Sequence, residues 1–177
     1  MKRALVIGGG REIWGDVEAA LKIGEFDAVI ACNDIGAAWS GEIEAWVTLH
    51  PENMAGNMKL RAERGYPKAR KIAYHQETAG APKPDIISTY NWRRPHKSAS
   101  SGIFAAKVGI ELGFKCVLCG VPLTMTPHFN LTGEWKHASS FHQGFNDALP
   151  HIKDHVRSMS GFTRKILGAP TPEWLAS

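Results

Sequence analysis

Glycines, small hydroxyls, amides and histidines recur just past short apolar runs in this sequence. Those residue types can hold and act on a phosphate-bearing or hydroxyl-rich ligand. The first such place is Val6-Ile7-Gly8-Gly9-Gly10-Arg11-Glu12. Gly8, Gly9 and Gly10 let the backbone approach a ligand closely and adopt positive φ. A helix beginning after them would aim unpaired N–H groups at a phosphate. The run is not GxGxxG, because position 13 is Ile, and no GK[ST] follows to make a Walker A loop. A tight strand-to-helix turn with no ligand is the alternative.

Four further places share this logic. Asn33 and Asp34 follow Ala31-Cys32 and could hydrogen-bond a ribose or a base, or simply form a turn or helix cap. His50 leaves Trp46-Val47-Thr48-Leu49 as a ligand contact or proton acceptor, or as a plain cap for the next helix. Ser100, Ser101 and Gly102 open an apolar segment, where two hydroxyls make an anion site or ordinary N-capping. Gly120, in Gly120-Val121-Pro122-Leu123, permits close approach of a ligand. Farther from any apolar run, Trp92 stands beside Arg93 and Arg94, with Lys97 close by. An aromatic with guanidinium neighbours could fold over a base or sugar while the cations neutralise phosphate; an anchor in the loop or core is the bland reading.

Metal chemistry is poorly signalled. His137 and His142 are five apart, not the four of a helical zinc pair, and no HExxH occurs. Asp34, Glu52 and Asp147 could join Mg²⁺ to a substrate phosphate, but nothing in their spacing requires it. No metal site is assigned, and no cofactor is fixed with certainty; Mg²⁺ is a candidate if ATP is the donor.

The elements that must position these residues are legible from the apolar pattern. Ala4–Gly8, Ala28–Cys32, Ala45–Leu49, Ile72–His75 and Cys116–Val121 read as strands buried on both faces, with Val156–Met159 a sixth and Ile86–Thr89 a weaker seventh. Helical patterns alternate with them. Trp14, Val17, Ala20, Leu21 and Ile23 form an apolar stripe, with Asp16 in the first turn where a carboxylate suits the helix dipole. Glu52–Arg64 and Phe141–Asp154 read as two more helices, and Ile103–Leu112 as one apolar enough to be buried. Alternation predicts an α/β fold: a single Rossmann-like domain with a mostly parallel sheet of about five to seven strands and helices on both faces. Residues 1–168 form that domain and 169–177 a tail, whose Trp174 and Leu175 pack on the body or on another subunit. All five motifs follow strands, so the fold would gather them along one sheet edge.

The totals fit this reading. The chain has 177 residues, 44% hydrophobic and 21% charged, the balance of an ordinary globular protein. No apolar run approaches the roughly 20 residues of a membrane span, and no secretory signal precedes the first strand, so a cytoplasmic location without membrane contact is expected. Net charge is +4, which suits anionic ligands and, more weakly, nucleic acid. The basic run from Arg61 to Lys71 reads as a solvated face. Cys32, Cys116 and Cys119 lie in strand-like runs; positions 116 and 119 point to opposite faces and are expected reduced and buried.

Taken together, Gly8-Gly9-Gly10, Cys32-Asn33-Asp34, Trp46-Val47-Thr48-Leu49-His50, Ser100-Ser101-Gly102 and Leu118-Cys119-Gly120-Val121-Pro122-Leu123 resemble one superfamily over roughly residues 3–160. It comprises 6-hydroxymethylpterin diphosphokinase-like (DUF115) proteins and bacterial sialyltransferases; similar short proteins occur in phage and prophage. The resemblance implies that Gly8, Gly9, Gly10, Asn33, Ser100, Ser101 and Gly102 contact the CMP portion of a nucleotide sugar. It also implies that His137 is the general base. The chain departs from the family where GxGPS is replaced by Gly10-Arg11-Glu12 and where a GxD motif is replaced by Gly120-Val121-Pro122.

The expected function is therefore a transferase using a nucleotide-linked donor. It would move a glycosyl group from a nucleotide sugar to a small-molecule or glycan acceptor, or diphosphate from ATP. The glycine turn and Ser100-Ser101-Gly102 would hold the nucleotide, and His137 or His50 would act as base. A non-catalytic nucleotide-binding or sensing module is the second reading. A nucleic-acid binder using the basic loop is the last, since no recognition motif accompanies the charge. Homo-oligomerisation is left open.

Overall fold

A computed structural model describes residues 1–89 and 100–177. Trp92, Arg93, Arg94 and Lys97 lie outside the described residues. The strands are β1 (Lys2–Ile7), β2 (Ala28–Cys32), β3 (Ala45–Thr48), β4 (Lys71–Tyr74), β5 (Ile86–Ile87), β6 (Phe114–Cys119) and β7 (Val156–Ser158). Between and after them run α1 (Ile13–Ile23), α2 (Ile35–Ala38), α3 (Met54–Glu63), α4 (Ser101–Glu111), α5 (His142–Ile152), α6 (Gly161–Leu167) and α7 (Pro172–Ala176). The strands form one sheet in the order β5-β4-β3-β2-β1-β6-β7. Every pairing is parallel. The α/β, Rossmann-like expectation holds, with seven strands.

Both faces of the sheet are covered, which is why its strands read as continuous apolar runs. On one face Val6, Ile30, Val47 and Leu118 pack with Phe104, Val108 and Phe145 from α4 and α5. On the other, Leu5, Ile7, Trp46 and Val117 pack with Ile13 and Val17 of α1 and Met54 of α3. Cys116 belongs to the first core and Cys119 to the second, as alternation along a strand requires. All three cysteines are free and buried, and burial pushes the Cys32 and Cys116 thiols up to about 12. They are side chains for packing, not nucleophiles.

Several boundaries differ from expectation. β1 starts two residues earlier and stops before Gly8, which has already turned away. The helices expected at Glu52 and Phe141 open as 3₁₀ turns, Pro51–Asn53 and Ala138–Phe141, before continuing as α3 and α5. The short α2, α6 and α7 carry too little apolar periodicity to stand out. The tail packs on the body: Leu175 of α7 is buried in the second core, and Lys115 donates to the Trp174 carbonyl at 2.8 Å.

Arg61 is the exception to the reading of residues 61–71 as a solvated face, which holds for the rest of that run, exposed or half-buried. Its side chain is 2% exposed, and its guanidinium donates to the carbonyls of Gly36 at 2.7 Å, Gly41 at 2.6 Å and also Trp39. A buried cation is tolerated when its donors are met. Here the turn around α2 bends its carbonyls inward to meet them, and so ties α3 to the end of β2.

Gly120 ends β6 at φ 64°, with no room for a side chain: a Cβ there would sit 2.7 Å from the Gly8 carbonyl oxygen and 2.7 Å from Ile13 Cβ. Gly113 has φ 85° but open space around it. Gly120→Ala should therefore cost clearly more than Gly113→Ala, on the order of 3 kcal/mol against about 1 kcal/mol in urea denaturation. Equal costs would mean that the contact between the β1 turn and the end of β6 is slack.

Candidate functional site

The strand order reverses direction beside β1. The chain leaves β1 toward β2 on one side and leaves β6 toward β7 on the other. In open parallel sheets the crevice beyond the strand ends at such a reversal is where ligands bind, because the two outgoing loops diverge there. A cavity of about 240 Å³ lies at this point.

Its floor is two glycine turns lying back to back. The Gly8 N–H donates to the Cys119 carbonyl at 2.8 Å and the Gly10 N–H to the Gly120 carbonyl at 2.7 Å. A Cβ at Gly8 or Gly10 would run into Gly120 and Val121 or Pro122. Those two glycines are thus demanded by packing between loops. Gly9 differs: a Cβ there would meet only the His128 ring at 3.3 Å and Asp34 Oδ1 at 3.7 Å.

The buried Asp16 of α1 secures this floor from below. Its Oδ2 accepts from the Gly120 N–H at 2.8 Å and the Ser160 hydroxyl at 2.6 Å. The sequence reading saw only a helix-dipole role for this residue. It also joins the β6 turn to the loop that begins α6.

The β2 end supplies a second wall. Asn33 adopts φ 55°, a left-handed conformation that asparagine tolerates better than most residues. Trp46 Nε1 donates to its carbonyl at 2.6 Å and the Thr48 hydroxyl donates to its Oδ1 at 2.8 Å. The Thr48 hydroxyl oxygen also accepts from the His50 N–H at 2.8 Å, so one relay sets both Asn33 and His50. The His50 side chain makes no capping bond; its Nδ1 lies 3.2 Å from Glu52 Oε1.

The start of α4 closes the third side. Ser100, Ser101 and Gly102 line the cavity, and the Ser100 hydroxyl makes no helix-capping bond. Gly102 lies so close to Val121 that a Cβ would come within 2.5 Å of it.

The structure therefore gathers Gly8, Gly9, Gly10, Asn33, His50, Ser100, Ser101, Gly102 and Gly120 around one cavity. Asp34 stands one step away, lining an adjoining cavity and accepting from Asn130 at 2.9 Å. His137 is not brought in. It is exposed, at the start of the 3₁₀ turn before α5, and does not line either cavity. Asp147, weighed for Mg²⁺ with Asp34 and Glu52, lies on α5 and accepts from Gln143 at 2.9 Å. Among the described residues no cluster of three metal-ligating side chains occurs, and no helix is long and apolar enough to cross a membrane.

Sequence reasoning missed the segment after β6. Phe129 N–H donates to the Gly9 carbonyl at 2.9 Å and Arg11 N–H to the Pro127 carbonyl at 3.2 Å, so residues 127–129 lie along the glycine turn. Thr124, Thr126, His128 and Trp135 join the lining. His128 stands edge-on to Trp135 at 5.3 Å. Leu123 holds φ 49°, a strained state for a bulky residue, with His142 Nε2 donating to its carbonyl at 2.8 Å. The available signal was positional: whatever follows a parallel strand starts at the ligand edge.

Fold and cavity define a Rossmann-like α/β protein with a cavity at the sheet's reversal point. No family model matches the chain, and no curated relative does. Among solved structures it is similar to bacterial sialyltransferases. One is the sialyltransferase CST-II in complex with a trisaccharide acceptor and CMP: 13% identity, TM-score 0.66, covering 99% of this chain and 88% of that one. Another is CstII from Campylobacter jejuni with CMP-3FNeuAc: 16% identity, TM-score 0.61, covering 100% and 88%. A third is the monofunctional alpha-2,3-sialyltransferase Cst-I from Campylobacter jejuni: 11% identity, TM-score 0.65, covering 100% and 82%. At such identities the likeness shows a shared fold. The diphosphokinase-like and phage parts of the resemblance have no counterpart among these three.

Asp16 makes this site sensitive to pH. Burial pushes its carboxyl above the ordinary 3.8; the bonds from Gly120 and Ser160 pull it down, Glu12 nearby raises it and Arg164 lowers it. The folded protein thus holds this proton more tightly than the unfolded chain. The stability that Asp16 contributes is fully present below pH 3.8 and is lost as pH rises through its folded-state value. Asp16→Asn keeps an oxygen for both donors without titrating, so its stability relative to the wild type should climb as pH rises through that range. A difference that stays flat in urea melts taken upward from pH 3.8 would contradict this.

Proposed function

We propose that this protein transfers a glycosyl group from a nucleotide sugar to an acceptor hydroxyl, with the nucleotide held in the cavity between the β1 turn and the end of β6. One observation carries the reading: the N-terminus of α4, a helix of 11 residues, opens with Ser101 and Gly102 at the same cavity as the glycine turn. Helix N-termini present free N–H groups and partial positive charge, which suit the anionic part of a nucleotide. Shared fold with sialyltransferases crystallised with CMP supports the nucleotide class.

In this reading Ser100 and Ser101 offer hydroxyls to phosphate or sugar. Asn33, with its oxygen engaged by Thr48, offers its amide N–H₂ to the base or ribose. His50 is the base that the geometry favours over His137. Glu52 orients its Nδ1, leaving Nε2 to take the acceptor proton. The acceptor oxygen bonds to the anomeric carbon as the bond to the phosphate oxygen breaks. The departing nucleotide carries the negative charge, which the α4 N-terminus stabilises. Arg93, Arg94 and Lys97 remain the candidates for further phosphate contacts.

A thermal-shift panel of CMP, CMP-sugars and ATP, with and without Mg²⁺, tests this. A ligand at 100 times its Kd stabilises by about 2.7 kcal/mol. CMP and its sugars should protect without Mg²⁺, and His50→Ala should keep that protection while lowering transfer at least about 100-fold. Protection by ATP with Mg²⁺ alone would favour diphosphate transfer. CMP protection with no turnover, in wild type and variant alike, would favour a sensing module.

A further inference from the structure

Beside the first cavity lies a second, more open one of about 780 Å³. The two share Asn33, His50 and His128 in their linings, so they adjoin at those residues as two compartments. The outer wall of the second compartment is α3. Its described charged lining comprises the carboxylates of Asp34, Glu52 and Glu63 against the single ammonium of Lys59. Lys59 lies 3.8 Å from Glu63 on the same helix, so its charge is already matched. Asn53 and Asn57 add amides.

Among the described residues the two compartments differ in electrostatic character. The first meets the N-terminus of α4 and has no carboxylate in its described lining; the second carries an excess of carboxylate in its described lining. Amides and carboxylates bind sugar hydroxyls and ammonium groups well, whereas a carboxylate ligand entering such a wall meets like charge.

We infer that the second cavity is the acceptor subsite, and that it selects an acceptor hydroxyl borne on a neutral or amino-substituted sugar while excluding carboxylated sugars. The inference rests on the transfer reading above and extends it to the acceptor's chemical class. His50 lies in both walls, so an acceptor held against α3 brings its hydroxyl to the same imidazole that faces the donor. The same carboxylates keep the anionic donor from settling in the wrong compartment.

The test uses the whole chain saturated with CMP. Methyl β-glucoside and methyl β-galactoside are titrated by saturation-transfer NMR, each with a hydroxymethyl, aminomethyl or carboxylate group at C6. At low salt, about 50 mM, where surface charge is little screened, neutral and amino forms should bind and the carboxylates should bind about tenfold more weakly. Glu63→Lys, a change on the exposed outer wall, should raise carboxylate binding about fivefold and lower amino-sugar binding, with CMP affinity unchanged. If CMP itself fails to bind, the transfer reading falls and this inference with it. If CMP binds but the carboxylates bind as tightly as the neutral sugars, or no glycoside binds, the acceptor inference alone is overturned.

Discussion

The contact between two glycine turns at the sheet's reversal point governs the rest of the structure. Gly8 and Gly10 lie against Gly120 through two backbone hydrogen bonds, at distances that admit no side chain. This closeness sets the glycine turn and the start of α4 around one cavity. If the turns were spread by a side chain, the glycine turn and the α4 start would part and would no longer act on one ligand. Asp16 completes the arrangement from beneath by accepting from Gly120 and Ser160.

Outward from that contact, the structure spends much of its polar hydrogen bonding on orientation. The Trp46–Asn33–Thr48–His50 relay holds a left-handed asparagine and a histidine in fixed relation. Arg61 satisfies the carbonyls of the turn after β2 and so fixes α3, the wall of the second compartment. Apart from His50, which is exposed and joins the relay through its backbone N–H, these groups are buried or half-buried, where an unmet donor is costly. They therefore define one geometry and not several. Leu123, held in a strained conformation beside the cavity, is the kind of local cost that such a framework can sustain.

Much of this was legible in the sequence because strand burial is written in uninterrupted apolar runs and parallel strands deliver their following residues to one edge. Gly9, Asn33, His50 and Ser101 could be placed together on that argument alone. What escaped depended on distant partners. Nothing local distinguishes Asp16, a first-turn acid, from an ordinary dipole partner; its bond to Gly120 spans 104 residues of sequence. Arg61 sits in a basic run and looks solvated until the carbonyls that surround it are known. His128 follows β6 in a loop without periodicity, while His137, nine positions later, faces outward. The reason that two of the three successive glycines are glycine also proved to be packing, which residue type alone does not separate from ligand approach.

The central claim is that a nucleotide binds where the two glycine turns meet. Amide NMR during a CMP titration tests it most directly. The account predicts saturable shifts of the Gly9, Asn33, Ser101 and Gly102 amides with a common Kd, while amides at the opposite end of the sheet stay still. Shifts confined to the apolar hollow beneath Trp46 and Tyr66, or none at saturating CMP, would contradict it.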